Sequence, residues 1–388
     1  MNFNQKLINF YNNNEIIPVR QTGADKSRFY GRGILYNTLG LPSTSFKNLK
    51  VIEIGPGSGQ NTIYTSTLGP KTLTLLEPSK SGVLEIKKLI NKKKFKCNVK
   101  IINQTIENFY KANKNQFDVV ICEGLLGSSG YKDPTVLLKY LKYIVKKGGS
   151  LILTCEDEIG ALPEQLRRLV VKKILHENKV KNNFEKKINF VKPYFNNHLK
   201  SFKGQSKRKI YDWIADVLIS PALDMPYLGI GDTIKNLRDN FKTIGTSPRM
   251  SNELIYYKVA AKLSSDFEND SMLKAYNANL VNFIDYRVEP KHVNLKLSKK
   301  IYLKCKNIFR DIQNIKNPND KFILNIVKKL NSLKSDLPSD FIMTKKSLSE
   351  IIKILKIKKI NVSTFKKFKN FSGWLGKCQT YIHFSKKS

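Results

Sequence analysis

The sequence predicts an α/β fold in which a mostly parallel sheet carries helices on both faces. Between residues 49 and 156, short apolar segments alternate with amphipathic ones, as expected when strands and helices follow each other. A glycine-rich turn, GPGSG at 55–59, follows the first of the apolar segments. Farther along, FKTIGTSPRMSNELIYYKVA at 241–260 is typical of two strands joined by a short turn. An antiparallel pair beside five parallel strands would give a seven-stranded sheet.

The predicted parallel strands share a short apolar core bounded by polar or turn residues. They are LKVIEI (49–54), TLTLLE (72–77), VKIIN (99–103), FDVVICE (117–123) and SLILTCE (150–156). A helix is predicted after each of the first four strands. Lysines and glycines in KKGG, at 146–149, indicate the end of the helix that precedes the fifth strand.

Four segments are predicted along the chain. Residues 1–46 would form an N-terminal lid segment, and 47–160 the α/β core. Residues 161–262 would hold a substrate-capping segment and the closing strand pair. Residues 263–388 would form a basic, mainly helical C-terminal region, which ends in the strand-like sequence GWLGKCQTYIHFSKK.

Composition narrows the function without deciding it. The chain has 69 basic and 31 acidic residues, a net charge of +38. Such a charge indicates either a polyanionic partner or a coding sequence poor in G and C, because most of the basic residues are lysines. No apolar run is long enough to predict a membrane span. Scattered cysteines and histidines predict no metal site and favour the reducing cytosol.

The glycine loop could hold one of several ligands. A P-loop would need a lysine that this loop lacks, and a dinucleotide fingerprint would need glycine where Gln60 stands. Glu53, two residues before the first glycine, would repel a pyrophosphate and attract a cationic group. Glu77, at the end of the second strand, could accept hydrogen bonds from ribose hydroxyls. The loop is therefore predicted to hold a cationic ligand without phosphate.

These residues carry a resemblance to a known family. E-I-G-P-G-S-G at 53–59, followed by Glu77, resembles the cofactor motifs of class I S-adenosylmethionine-dependent methyltransferases. NQTIENF, FDVVICEGLLG and KKGGSLILT follow in the family's order, so the resemblance covers about residues 46–160. It implies a Rossmann-like sheet and S-adenosylmethionine as the cofactor.

The resemblance also implies roles for individual residues. Glu53 would receive the methionine ammonium group, and Glu77 would hold the ribose. The backbone at Gly55, Gly57 and Gly59 would pass beside the methionyl and ribose parts, and Gln104 would contact the adenine amino group. Glu123 would lie beside the methyl-transfer position, as a pocket carboxylate or general base. Tyr30 would be either a lid over the cofactor or a core residue.

The acceptor is less well defined. CEGLLG follows the fourth strand in place of [DN]PP[YF], which counts against amino methylation of nucleic-acid bases. Asp212 and Trp213 could bind a sugar, or could belong to an amphipathic helix with Trp213 in the core. His198 could be a base or a surface residue.

The favoured prediction is thus a methyltransferase acting on a hydroxyl or amine of a small polar metabolite or sugar nucleotide, in a glycan pathway. An RNA methyltransferase and a non-catalytic binding protein on the same fold are the alternatives.

Overall fold

A computed structural model describes residues 3–14, 26–126, 131–180, 183–202, 208–250, 258 and 266–388. The strands are β1 (Lys50–Ile54), β2 (Thr72–Leu76), β3 (Val99–Ile102), β4 (Phe117–Cys122), β5 (Val145–Glu156), β6 (Phe241–Ser247) and β7 (Gln379–Lys386). They form one seven-stranded sheet in the order β3-β2-β1-β4-β5-β7-β6. β1 to β5 run parallel, and β7 is antiparallel to both β5 and β6. The predicted fold class is confirmed.

Helices connect and follow the strands. The first ten are α1 (Phe3–Asn13), α2 (Lys26–Thr38), α3 (Thr62–Thr67), α4 (Lys80–Asn91), α5 (Ile106–Phe109), α6 (Thr135–Ile144), α7 (Glu158–Glu177), α8 (Phe184–Ser201), α9 (Ile210–Trp213) and α10 (Ile230–Leu237). Then come α11 (Phe267–Asn279), α12 (Leu295–Asn314), α13 (Asp320–Asp336), α14 (Ile342–Lys356), α15 (Val362–Phe365) and α16 (Lys369–Ser372). None of the helices in the described ranges combines the length and apolar character needed to cross a bilayer.

The chain divides into two compact units. The first comprises Met1–Glu156, Met225–Tyr276 and Gln379–Ser388, and contains the whole sheet. The second comprises Asp157–Asp224 and Asn277–Cys378. Residues of both the predicted capping segment and the predicted C-terminal region thus belong to the second unit. Within it, α7 packs against α12. The four segments along the chain stay a prediction.

The closing strands of the sheet differ from the prediction in one respect. The predicted strand pair at 241–260 contains β6, and residues 251–257 and 259–260 of this segment lie outside the described residues. Among the described residues, β7 lies between β5 and β6 and pairs with both. Antiparallel pairing needs no crossover helix, so a strand distant in sequence can complete the sheet.

The start of β5 is a second correction. KKGG at 146–149 was expected to end a helix, but α6 ends at Ile144 and these residues belong to β5. The strand begins early because Phe117 pairs with Val145, and an irregularity then shifts the register before Val119 pairs with Ser150.

One face of the sheet carries the core of the first unit. Side chains from four strands point to this face and pack under the segment that follows α2. The strand residues are Val51, Leu73, Leu75, Val119, Ile121 and Ile152, and they meet Tyr36, Leu39, Leu41, Phe46 and Ile86. His383 of β7 ties the same segment to the sheet: its Nδ1 donates to the Leu39 carbonyl, and its Nε2 accepts from the Ser150 hydroxyl. Burial lowers the pKa of His383 to about 4, so the ring is neutral at physiological pH.

We predict that β7 contributes strongly to the stability of the first unit. Phe384 is 0% exposed, so Phe384→Ala should lower the free energy of unfolding by about 3–5 kcal/mol through lost contacts and a cavity. Chemical denaturation followed by circular dichroism measures this loss. Ser385→Ala, on the same strand but half-buried, should change the free energy by less than about 0.5 kcal/mol. Equal effects of the two substitutions would contradict the role assigned to β7.

Candidate functional site

The glycine loop connects β1 to α3 at the carboxyl edge of the sheet. Gly55, Gly57 and Gly59 have φ angles of +67°, +57° and +72°, in the left-handed region that favours glycine. A Cβ atom at Gly55 would lie 2.9 Å from the Leu125 side chain, and one at Gly59 would lie 3.0 Å from Ile86. The alternating glycines are thus required by the backbone conformation and by packing, in addition to any approach of a ligand.

Glu53 connects the end of β1 to α3. Its side chain is buried, and its two carboxylate oxygens accept hydrogen bonds from the hydroxyls of Thr62 and Thr65. Burial raises the pKa of Glu53, and the two threonine hydroxyls oppose this effect. The carboxylate therefore holds the first turn of α3 against the sheet, directly beneath the loop.

Glu77 connects the end of β2 to the middle of the loop. Its carboxylate accepts hydrogen bonds from the backbone N–H groups of Gly57 and Ser79, each at 2.8 Å. Burial raises the pKa of Glu77 to about 7, although both backbone bonds lower it. Four lone-pair sites are available on a carboxylate, so two backbone donors leave capacity for further hydroxyl donors.

Gly82 is a site residue that the sequence analysis missed. A Cβ atom here would lie 2.9 Å from Cγ of Glu77 and 3.0 Å from the carbonyl oxygen of Gly57. Any larger residue would therefore displace the carboxylate or the loop. The available signal was a glycine within the first turn of a predicted helix, where it lowers helix stability by about 1 kcal/mol relative to alanine.

Arg32 is the second missed residue, and it makes an ion pair with Glu123. Its Nη1 donates to one oxygen of Glu123 at 3.0 Å, and its Nη2 donates to the other at 2.5 Å and to the Tyr36 hydroxyl at 2.7 Å. Asn61 Nδ2 donates to the same carboxylate at 3.2 Å. Burial lowers the pKa of Arg32, but the Glu123 charge raises it, and the net shift is upward. No sequence pattern links α2 to the end of β4, so only the fold reveals this pair.

The charges around the loop are unevenly matched. Glu53, Glu77 and Glu123 lie at the ends of three neighbouring strands, and Arg32 contributes the guanidinium that pairs with one of them. The loop thus lies in a locally acidic environment, although the chain as a whole carries a charge of +38. A cationic ligand fits this environment, whereas a pyrophosphate would be repelled.

Comparison with known proteins agrees with this geometry. A family model described as a methyltransferase domain matches residues 52–153, which include the loop, Glu77 and Glu123. This part of the chain is a class I S-adenosylmethionine-dependent methyltransferase domain. S-adenosylmethionine is the cofactor of such domains.

Individual relatives match only part of the chain. The mitochondrial ubiquinone biosynthesis O-methyltransferase of Dictyostelium discoideum is 28% identical over 137 residues, 34% of this chain and 41% of that protein. The ribosomal RNA small subunit methyltransferase G of Prochlorococcus marinus strain MIT 9312 is 29% identical over 118 residues, 30% of this chain and 47% of that protein. The chain thus spans less than half the length of these two relatives.

A solved structure, PKMT2 from Rickettsia typhi in complex with AdoHcy, is 18% identical to this chain. The match covers 64% of this chain and 49% of PKMT2, with a TM-score of 0.40.

Two further residues predicted for the methyltransferase domain lie in the first unit. Gln104 is exposed after β3, and its neighbour Asn103 donates to the backbone carbonyl of Glu77 at 2.7 Å. The contact of Gln104 with adenine stays a prediction. Tyr30 lies on α2 with 73% of its surface exposed, so the core alternative for this residue is wrong. Its role as a lid also stays a prediction.

His198, Asp212 and Trp213 lie in the second unit. Trp213 is 0% exposed and packs against Phe195 and Phe202. A ring without exposed surface offers no face to a sugar. Trp213 is therefore a core residue, and the alternative that it stacks on a sugar is wrong. Asp212 is half-buried near the start of α9, and its contact with substrate stays a prediction.

His198 is buried and not a surface residue. Its Nδ1 accepts a hydrogen bond from Arg167 Nε at 3.0 Å, and its ring stacks on Phe365. Burial, followed by the Arg167 charge, lowers the pKa of His198 well below its ordinary value. These contacts give His198 a packing role in the second unit, and a role as base stays a prediction.

Because its pKa is raised, Glu77 should make the protein less stable at higher pH. The folded state favours the protonated acid, so the free energy of unfolding should fall as pH rises from about 4.5 towards 7. Glu77→Gln should reduce this slope. Chemical denaturation across this pH range provides the measurement. Glu85→Gln, which removes a surface partner of Lys88, should keep the wild-type slope. An unchanged slope in Glu77→Gln would contradict the buried position of the carboxylate.

Proposed function

We propose that the protein transfers a methyl group from S-adenosylmethionine to a hydroxyl or amine of a small polar metabolite or sugar nucleotide. The observation that carries this proposal is the acidic environment of the glycine loop in a strongly basic chain. S-adenosylmethionine has a sulfonium and an ammonium group against one carboxylate, so its net charge complements that environment. When bound, it supplies a methyl group on a positively charged sulfur.

Residues of the loop would hold the cofactor. Glu77 would accept hydrogen bonds from ribose hydroxyls with the lone pairs that Gly57 and Ser79 leave free. Glu53 would mainly fix the position of α3 beside the loop, because its oxygens already accept hydrogen bonds from Thr62 and Thr65. Its negative charge would still favour the ammonium group of the ligand.

Glu123 would orient the acceptor and accept its proton. The carboxylate lies at the end of β4, with 16% of its side chain exposed. Arg32 and Asn61 hold it in one orientation, which lowers the entropy lost when an acceptor binds. Transfer of the acceptor proton to such a fixed carboxylate is general-base catalysis. The matched O-methyltransferase of ubiquinone biosynthesis supports a hydroxyl as the acceptor.

An RNA acceptor is the second candidate. Its support comes from the matched ribosomal RNA methyltransferases and from the distribution of charge. Residues 351–388 contain ten lysines and no aspartate or glutamate. We also infer a cytosolic location, which is supported by five cysteines that form no disulfide with one another in the described residues.

Cofactor binding tests the proposal first. Wild-type protein should bind S-adenosylmethionine in a calorimeter, and Gly57→Val should abolish this binding. Valine is strongly disfavoured at the φ of +57° that Gly57 adopts. Gly31→Val is the matched control, because a Cβ there would have no neighbour within 4 Å. Absence of binding in the wild type would leave the non-catalytic alternative in its place.

Turnover tests the role of Glu123. Glu123→Gln should lower the rate of methyl transfer about 100-fold or more, because an amide cannot accept the proton. The affinity for S-adenosylmethionine should stay within about threefold, because Arg32 and Asn61 can still bond to the amide oxygen. Labelled methyl groups should appear in small molecules of a cell extract. Label that is recovered in RNA, and lost after ribonuclease treatment, would favour the second candidate.

A further inference from the structure

The helices at the end of the second unit form a surface on which lysines far outnumber acids. α14, α15 and α16 lie within the segment that begins at Ile342, and α16 packs against both α14 and α8. Two surface cavities border α16. Both lie entirely within the second unit.

The first cavity has a volume of about 300 Å³ and combines aromatic walls with a basic rim. Tyr194, Phe365 and Phe368 contribute the aromatic side chains, together with the His198 ring. Lys200, Lys366 and Lys369 contribute the positive charges, and all three are exposed.

The second cavity has a volume of about 410 Å³ and is lined by Lys334, Lys345, Lys346 and Lys353. Asn370 also lines it, while the preceding residue, Lys369, lines the first cavity. Consecutive residues at the start of α16 thus border the two cavities.

Most of the lysines that line the two cavities lack an acidic partner among the described residues. In the part of the chain that the structure describes, six of them form no ion pair: Lys200, Lys345, Lys346, Lys353, Lys366 and Lys369. Elsewhere in the unit, Asp336 pairs with Lys300 and Lys304, and Asp311 pairs with Lys329.

Glu350 is the acidic residue that lines the second cavity, and it is already engaged. One oxygen accepts from Asn370 Nδ2 at 2.6 Å, and the other accepts from the backbone N–H of Phe371 at 2.7 Å. It therefore holds α16 against α14 and forms no ion pair with these lysines. The positive charge of the two rims faces solvent.

We propose that this surface of the second unit binds single-stranded nucleic acid. Lysines spread over two adjoining rims suit a chain of phosphates better than one isolated anion, since each ammonium group is a point charge for one phosphate oxygen. The half-buried ring of Phe368 lies beside the basic rim of the first cavity, where a base could stack next to its own phosphate. The inference concerns binding and does not depend on the identity of the methyl acceptor.

The test compares two variants that lose the same charge. Lys345, Lys346, Lys366 and Lys369 are changed to Gln in one full-length variant. In the matched control, Lys92, Lys93, Lys94 and Lys96, which are exposed in the first unit, are changed to Gln. Fluorescence anisotropy with a labelled mixed-sequence RNA strand is measured over a range of salt concentrations.

The first variant should bind at least tenfold more weakly than wild type. The slope of log affinity against log salt is negative, and its magnitude should be smaller by about 0.7 for each substituted lysine that contacts a phosphate. The control variant should keep the wild-type affinity within about threefold. Phe368→Leu should weaken binding about fivefold or more at every salt concentration, since stacking is lost while the charge is kept. A DNA strand of the same sequence shows whether the 2′-hydroxyl contributes.

Three results would overturn the inference. They are equal loss of affinity in the two lysine variants, a salt slope near zero in the wild type, and lysine-dependent binding to phosphatidylserine vesicles without binding to RNA. Calorimetry with S-adenosylmethionine on the same samples should give wild-type affinity throughout. A failure of the methyltransferase proposal is thereby distinguished from a failure of this one.

Discussion

The bonds that Gly57 and Ser79 donate to Glu77 connect the end of β2 to the glycine loop, and the geometry of the site depends on this connection. Left-handed backbone angles shape the loop, but three glycines alone would leave it free to adopt many conformations. A buried carboxylate that needs hydrogen-bond donors removes this freedom, because leaving it unsatisfied would cost several kcal/mol. Gly82 completes the arrangement by allowing α4 to approach the carboxylate.

Charge is organised differently in the two units. Near the loop, the carboxyl groups of Glu53, Glu77 and Glu123 lie close to one guanidinium, that of Arg32, whereas the net charge of the whole chain is +38. Around α16, lysines outnumber acidic residues, so this surface is basic. At physiological ionic strength, charges farther apart than about 8 Å are largely screened. Each site therefore responds to its own neighbours, and the total charge of the chain predicts the ligand of neither.

Sequence patterns over a few residues predicted the strands whose formation depends on residues close together in the chain. β1 to β4 lie close to their predicted bounds, because a short apolar run between polar or turn residues is typical of a strand within a parallel sheet. The KKGG segment was predicted to end a helix, because lysine and glycine are common at that position. It belongs to β5 instead, because this strand pairs with β4. Asp212 and Trp213 are adjacent in sequence, yet one is half-buried and the other fully buried.

The residues alone were sufficient to predict the α/β class, the three-glycine loop and the placement of Glu53 and Glu77 beside it. These features follow from residue types at short, fixed spacings, and the match of residues 52–153 to a methyltransferase domain agrees with them. The folded structure was needed to place β7 between β5 and β6, to pair Arg32 with Glu123, and to bring the lysines around α16 to the edges of two cavities. Contacts between residues far apart in the chain depend on how all the elements pack together, and no local pattern of residues encodes that packing.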